Sequence, residues 1–130
     1  MTACGVWPVP RGLVAVLIDD GGRARSCSVA STDDARSGLA LWLAAAGADL
    51  VVDEALLQAD PIAVAARRAG VTVWVAGPPL VEALRHAAGI THRGARPSAT
   101  MLARLPSVPW LRSLLRRLGP HDDERQIALL

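Results

Sequence analysis

Side chains able to do chemistry are few in this sequence, and most have simpler duties nearby. Of the twelve acids, Asp19 and Asp20, Asp33 and Asp34, and Asp53 and Glu54 are adjacent pairs, Asp122, Asp123 and Glu124 form a run, and Asp49, Asp60 and Glu82 stand singly. Paired carboxylates can hold a divalent cation or divide acid and base roles between them. Asp19 and Asp20, however, fall in D-D-G-G, which is hairpin-turn chemistry. Asp33 and Asp34 open a helical pattern, where acids suit the helix dipole. Asp60 precedes Pro61, as an N-cap residue would. Asp53 and Glu54 end an apolar strand, so alternation sends their side chains to opposite faces. His86 lies near a helix end and His92 in a basic loop with no Cys or acid beside it, a poor metal site. Cys4 and Cys27 have no metal spacing and lie on strands too far apart to bridge; free thiols are expected. Spacing alone supports no Ser-His-Asp or Cys-His arrangement, and neither D-D-G-G nor A-G-P-P matches a phosphate loop.

The basic residues are more telling. The formal charge is only +2, and all of the positive side chains are Arg. Residues 1–65 carry four Arg and eight acids, whereas residues 66–130 carry ten Arg and four acids. From Arg85 to Arg117 there are seven Arg and no acid. Such asymmetry suits an anionic partner, with a solvated Arg surface as the alternative. Phe and Tyr are absent and Trp7, Trp42, Trp74 and Trp110 are the only aromatics, which argues against a base-stacking platform.

At 130 residues with 52% hydrophobic content, the chain is long enough to bury a core and is expected to be globular. The expected organisation is one domain over residues 1–118 and a tail over 119–130. The N-terminus lacks a charged region before its apolar run, and no apolar window is long enough to span a bilayer, so a cytoplasmic protein is expected.

The elements that must position these side chains follow from period and punctuation. Residues 3–7, 12–18 and 23–30 read as three antiparallel strands, the first ended by Pro8 and the second pair joined by D-D-G-G. The period then changes. S-T-D-D offers a capping box before a helix with Leu39, Trp42, Leu43 and Ala46 on one face, stopped by Gly47. A buried strand over 48–54 follows, then a helix after Pro61 with Ile62, Ala65, Ala66 and Ala69 inside. A strand over 71–76, a helix over 78–89, a basic loop, and helical pieces over 98–105 and 109–118 complete the order. A β-meander feeding right-handed βα units predicts a mixed α/β sheet of five strands in the order 3-2-1-4-5, with strand 2 antiparallel. This is the ribonuclease H-like arrangement.

In this frame G-V-W (5–7), V-A-V-L-I-D-D-G-G-R (14–23), L-A-L-W-L (39–43), V-V-D-E-A (51–55), V-A-G-P-P-L-V (75–81) and G-A-R-P-S-A-T-M-L-A-R-L (94–105) occur in sequence. Together they resemble the RuvC-like N-terminal domain of the DEDD insertion-sequence transposases and Piv-type DNA invertases. The resemblance covers roughly residues 3–105. It implies a site of four acids, of which Glu54 is retained; the others fall on Trp7, Ala95 and Ser98. Family chemistry of this type is expected to use two Mg²⁺ ions clamped by carboxylates. One Glu cannot hold such a pair, so no resident metal or cofactor is expected, with Mg²⁺ only if an active nuclease used Glu54 with another group. Ser98 is expected to cap the helix that the family's Asp would both cap and use.

The leading expectation is therefore a degenerate, catalytically silent domain that binds DNA or RNA, or a protein partner, through its Arg-rich half. Arg85, Arg93, Arg96, Arg104, Arg112, Arg116 and Arg117 are the candidate phosphate contacts. An alternative is a homo-oligomeric module using residues 109–118, where Trp110, Leu111, Leu114, Leu115 and Leu118 would share one helical face. A second alternative is a metal-dependent nuclease or transposase using Glu54.

Overall fold

The computed structural model describes residues 1–90 and 94–119. Its elements are β1 (Ala3–Val9), β2 (Gly12–Ile18), β3 (Ala24–Ala30), α1 (Asp33–Ala46), β4 (Asp49–Asp53), α2 (Glu54–Ala59) and α3 (Ile62–Arg68). They continue with β5 (Val73–Ala76), α4 (Pro78–Ala87), α5 (Ala95–Arg104), a 3₁₀ turn (Leu105–Ser107), α6 (Pro109–Arg112) and β6 (Arg116–Arg117). The strands form one sheet in the order β3-β2-β1-β4-β5-β6. β2 is antiparallel to both its neighbours, and β1, β4 and β5 are parallel. This is the expected 3-2-1-4-5 order and α/β class, with a sixth strand added at the β5 edge, antiparallel to it.

Alternation along the strands divides the core. Cys4, Val6, Leu13, Ala15, Leu50, Val52, Val73 and Val75 face α1 and α3. Val51 and Ala76 face the opposite way and pack with Val81, Leu102, Leu105 and Leu115, under α4 and α5. β4 is apolar on both faces because both are covered, as parallel strands require. The covering is closest at α5. A Cβ on Gly5 would lie 1.9 Å from the Ala99 carbonyl oxygen and 2.7 Å from the Ala103 nitrogen, so only Gly allows α5 to lie against β1 at this depth.

Turn and cap residues behave as their chemistry suggests, with small displacements. Asp19 accepts from the backbone N–H of Gly21 and Arg23 and so closes the hairpin. Thr32, rather than Ser31, caps α1, and Gly47 ends it in the left-handed conformation. Asp60 accepts from Ile62 at 2.8 Å and also receives two bonds from Arg36, which ties α1 to the start of α3.

Several expectations are corrected. β1 continues through Pro8 to Val9 because pairing with β4 stops at Gly5, leaving no partner on that side for an N–H at Pro8. In α1 the buried stripe is Leu39, Ala40 and Leu43, whereas Trp42 is 40% exposed. β4 ends at Asp53, whose carboxylate accepts from Leu56 N–H and caps α2, a helix the apolar run had concealed. Glu54 is therefore the first residue of a helix, and the alternation argument separating it from Asp53 does not apply. α5 begins at Ala95 after Gly94, so Ser98 lies inside the helix and does not cap it. The continuous helix expected over 109–118 is one turn followed by β6.

Cys4 is fully buried and Cys27 is exposed. Burial, assisted by the nearby Cys27, raises the Cys4 thiol from 9.0 to about 12. At pH 8 a maleimide should label one thiol of the native chain at Cys27 and reach Cys4 only after denaturation, read by intact mass. Gly5→Ala should lower stability by at least about 2 kcal/mol, measured by denaturant unfolding, because the obstacle is rigid backbone.

Candidate functional site

The positions implied by the resemblance lie where β1 and β4 end beside the first turns of α5. β1 and β4 run parallel, with Gly5 opposite Val51, so Trp7 lies toward the end of the sheet where β4 gives way to α2 at Asp53–Glu54. α5 lies over β1 and β2, guided by Gly5, and brings Ser98 to within hydrogen-bond reach of Arg85 in the same region.

Trp7 fills space here. Its side chain packs against the second core cluster, which includes Val51, Leu102 and Leu105. The Arg85 guanidinium of α4 lies over the ring, 4.7 Å from its centroid. The same guanidinium donates from Nε to the Ser98 hydroxyl at 3.1 Å. Ser98 is fully buried and donates in turn to the Gly94 carbonyl, one helical turn back. Trp7, Arg85 and Ser98 thus form one connected stack, from β1 through α4 to α5. Ala95 sits one turn before Ser98 and supplies no polar atom beyond its backbone.

Glu54 is held separately. Both of its carboxylate oxygens accept from one Arg116 nitrogen, at 3.0 and 3.3 Å. Arg116 is on β6, so the added edge strand is what delivers this cation. Its neighbour Arg117 lies over Trp74 at 5.9 Å, and the Trp74 indole N–H donates to Asp49 at 2.9 Å.

These residues do not fit a pair of divalent cations. Trp7 and Ala95 offer no anionic oxygen, Ser98 is engaged at its hydroxyl, and Glu54 is neutralised by a guanidinium. Two guanidinium groups already occupy the region, and a dication would meet their repulsion. No group of three His, Cys, Asp or Glu able to hold a metal occurs among the described residues. What the site can do is pack and pair.

The candidate arginines separate into two classes. Arg85, Arg116 and Arg117 are committed to Trp7 and Ser98, to Glu54, and to Trp74. Arg96 and Arg104 on α5 and Arg112 on α6 are exposed. Arg93 and His92 lie outside the described residues. Sequence reasoning grouped Arg85 with the surface; no local signal marked it as inward, since its partners come from β1 and α5. It also missed a groove of about 600 Å³ between α4, α5 and α6, whose apolar lining includes Leu84, Met101, Leu105 and Leu111.

The stack and the ion pair should differ in weight. Trp7→Ala should cost about 2–4 kcal/mol of stability, as loss of a large, partly buried ring does. Glu54→Gln should cost less than about 1 kcal/mol, because the Arg116 and Glu54 side chains are 46% and 31% exposed and solvent weakens their attraction. Denaturant unfolding of both variants checks the contrast.

The chain is similar to the solved structure of Thermus thermophilus RuvC, with a TM-score of 0.59, 18% sequence identity, and coverage of 91% of this chain and 100% of that one. No family model matches the sequence, and no curated protein matches it. At this identity the likeness concerns architecture: the fold is RuvC-like, of the ribonuclease H-like type.

Proposed function

We propose that this chain is a degenerate, transposase-like RuvC domain that binds nucleic acid without cutting it. The supporting observation is the division among its arginines. Arg85 and Arg116 take up the region where catalytic carboxylates would stand, while Arg96, Arg104 and Arg112 project from a stretch that contains no acid. Arg96 and Arg104 are about 12 Å apart along α5 at the usual helical rise. That spacing suits contacts to separate phosphates, and the binding would be insensitive to base sequence.

Affinity for duplex DNA or for RNA should then fall with salt, with a log–log slope of about −2 to −3 for three contacts on a duplex. Each substitution Arg96→Gln, Arg104→Gln or Arg112→Gln should weaken binding and reduce the slope by about 1. A flat response to salt in fluorescence anisotropy would remove the reading. In parallel, supercoiled, branched and single-stranded substrates should stay intact with Mg²⁺ or Mn²⁺. Cleavage that disappears in Glu54→Gln would instead support the nuclease alternative.

A second reading, self-association, draws on a narrower surface than the helical face expected from sequence. Leu115 and Leu118 are buried, which leaves Trp110 and Leu114 exposed at 66% and 57%. Light scattering of the chain and of Trp110→Ser with Leu114→Ser would show a concentration-dependent mass that the variant loses.

A further inference from the structure

The groove between α4, α5 and α6 has an apolar floor that includes Leu84, Met101, Leu105 and Leu111, with Arg96 and Arg104 also among its walls. Its volume of about 600 Å³ is within the usual range of ligand sites. Leaving such a floor in water is unfavourable in proportion to its area. An occupant must offer aliphatic side chains for the floor and negative charge for the two guanidinium groups.

We infer that the groove is the docking site of this chain's own residues 120–130. The acids missing from Arg85 to Arg117 resume just beyond β6, at Asp122, Asp123 and Glu124, and Ile127, Leu129 and Leu130 follow. The segment thus carries the two chemistries that match the groove's apolar floor and its guanidinium groups, in a fixed order along the chain. Reach is not limiting. Leu111 lines the groove, and Gly119 is closer to Leu111 along the chain than Ala128 is to Gly119. The tail can therefore return over any distance the chain has moved away. Tethering keeps the segment at high local concentration, so modest contacts suffice. The docked acids would lie against Arg96 and Arg104.

The test uses the full chain with Cys27→Ser, so that buried Cys4 is the only native thiol. Thr100→Cys in the groove wall is combined with Ala128→Cys, and a short bismaleimide is added with no nucleic acid present, so the outcome is independent of the binding proposed above. Cross-linking within one chain is expected, identified by peptide mass. It should slow about fivefold when Asp122→Asn, Asp123→Asn and Glu124→Gln are added, as loss of exposed ion pairs predicts. The control places the first thiol at Ser37→Cys, on exposed α1. All the altered positions are at the surface or in the tail, so folding is preserved. A rate at Thr100→Cys no greater than at Ser37→Cys would overturn the inference, as would cross-links formed only between copies.

Discussion

The approach of α5 to β1 at Gly5 underlies the arrangement of the polar groups on α5. With no Cβ between them, the helix backbone meets the strand directly, and Ala99, Leu102 and Ala103 are buried there. This depth brings Ser98 to the end of β1 and places Arg96 and Arg104 on the outer side of the same helix. One close contact therefore decides which polar groups of α5 turn inward and which meet solvent. A larger residue at position 5 would lift the helix and separate Ser98 from Arg85.

The second constraint is electrostatic. A sheet end built to gather carboxylates needs cations to offset their repulsion, and in metal-dependent chemistry bound ions supply them. Here three of the four expected acids are absent, and the remaining Glu54 meets a guanidinium on β6. Arg85 meets a π face and a hydroxyl instead of a carboxylate. Both arrangements give the guanidinium a partner within the chain. Arginine suits this role because its planar fork can stack and donate at once. Glu54, the one carboxylate at the four positions that the resemblance implies, is half of an ion pair with Arg116.

The same chemistry explains why a count of basic residues overstates a binding surface. Seven arginines occur between positions 85 and 117, yet at least three are tied to indoles, a hydroxyl or a carboxylate. Those that remain outward cluster on α5 and α6, next to an apolar groove. Charge and apolar surface are therefore adjacent on this face, and polar and aliphatic groups of one ligand could engage it together.

Much of the architecture was legible in the sequence, because its signals are local. D-D-G-G closes a hairpin, the change from period 2 to period 3.6 marks the passage from meander to helices, and a right-handed crossover admits few topologies. Strand order followed from these alone. The Asp53–Glu54 boundary was less legible, since an apolar run looks alike as strand end or helix start. The six residues after Arg112 illustrate the limit: their spacing is helical, but edge pairing with β5 makes a two-residue strand of Arg116 and Arg117, and Leu118 beside it is buried. The sequence also showed that three of the four positions implied by the resemblance carry no acid. Only the tertiary structure decided what stands in their place, because Trp7, Arg85 and Ser98 are far apart along the chain and meet through the packing of three separate elements.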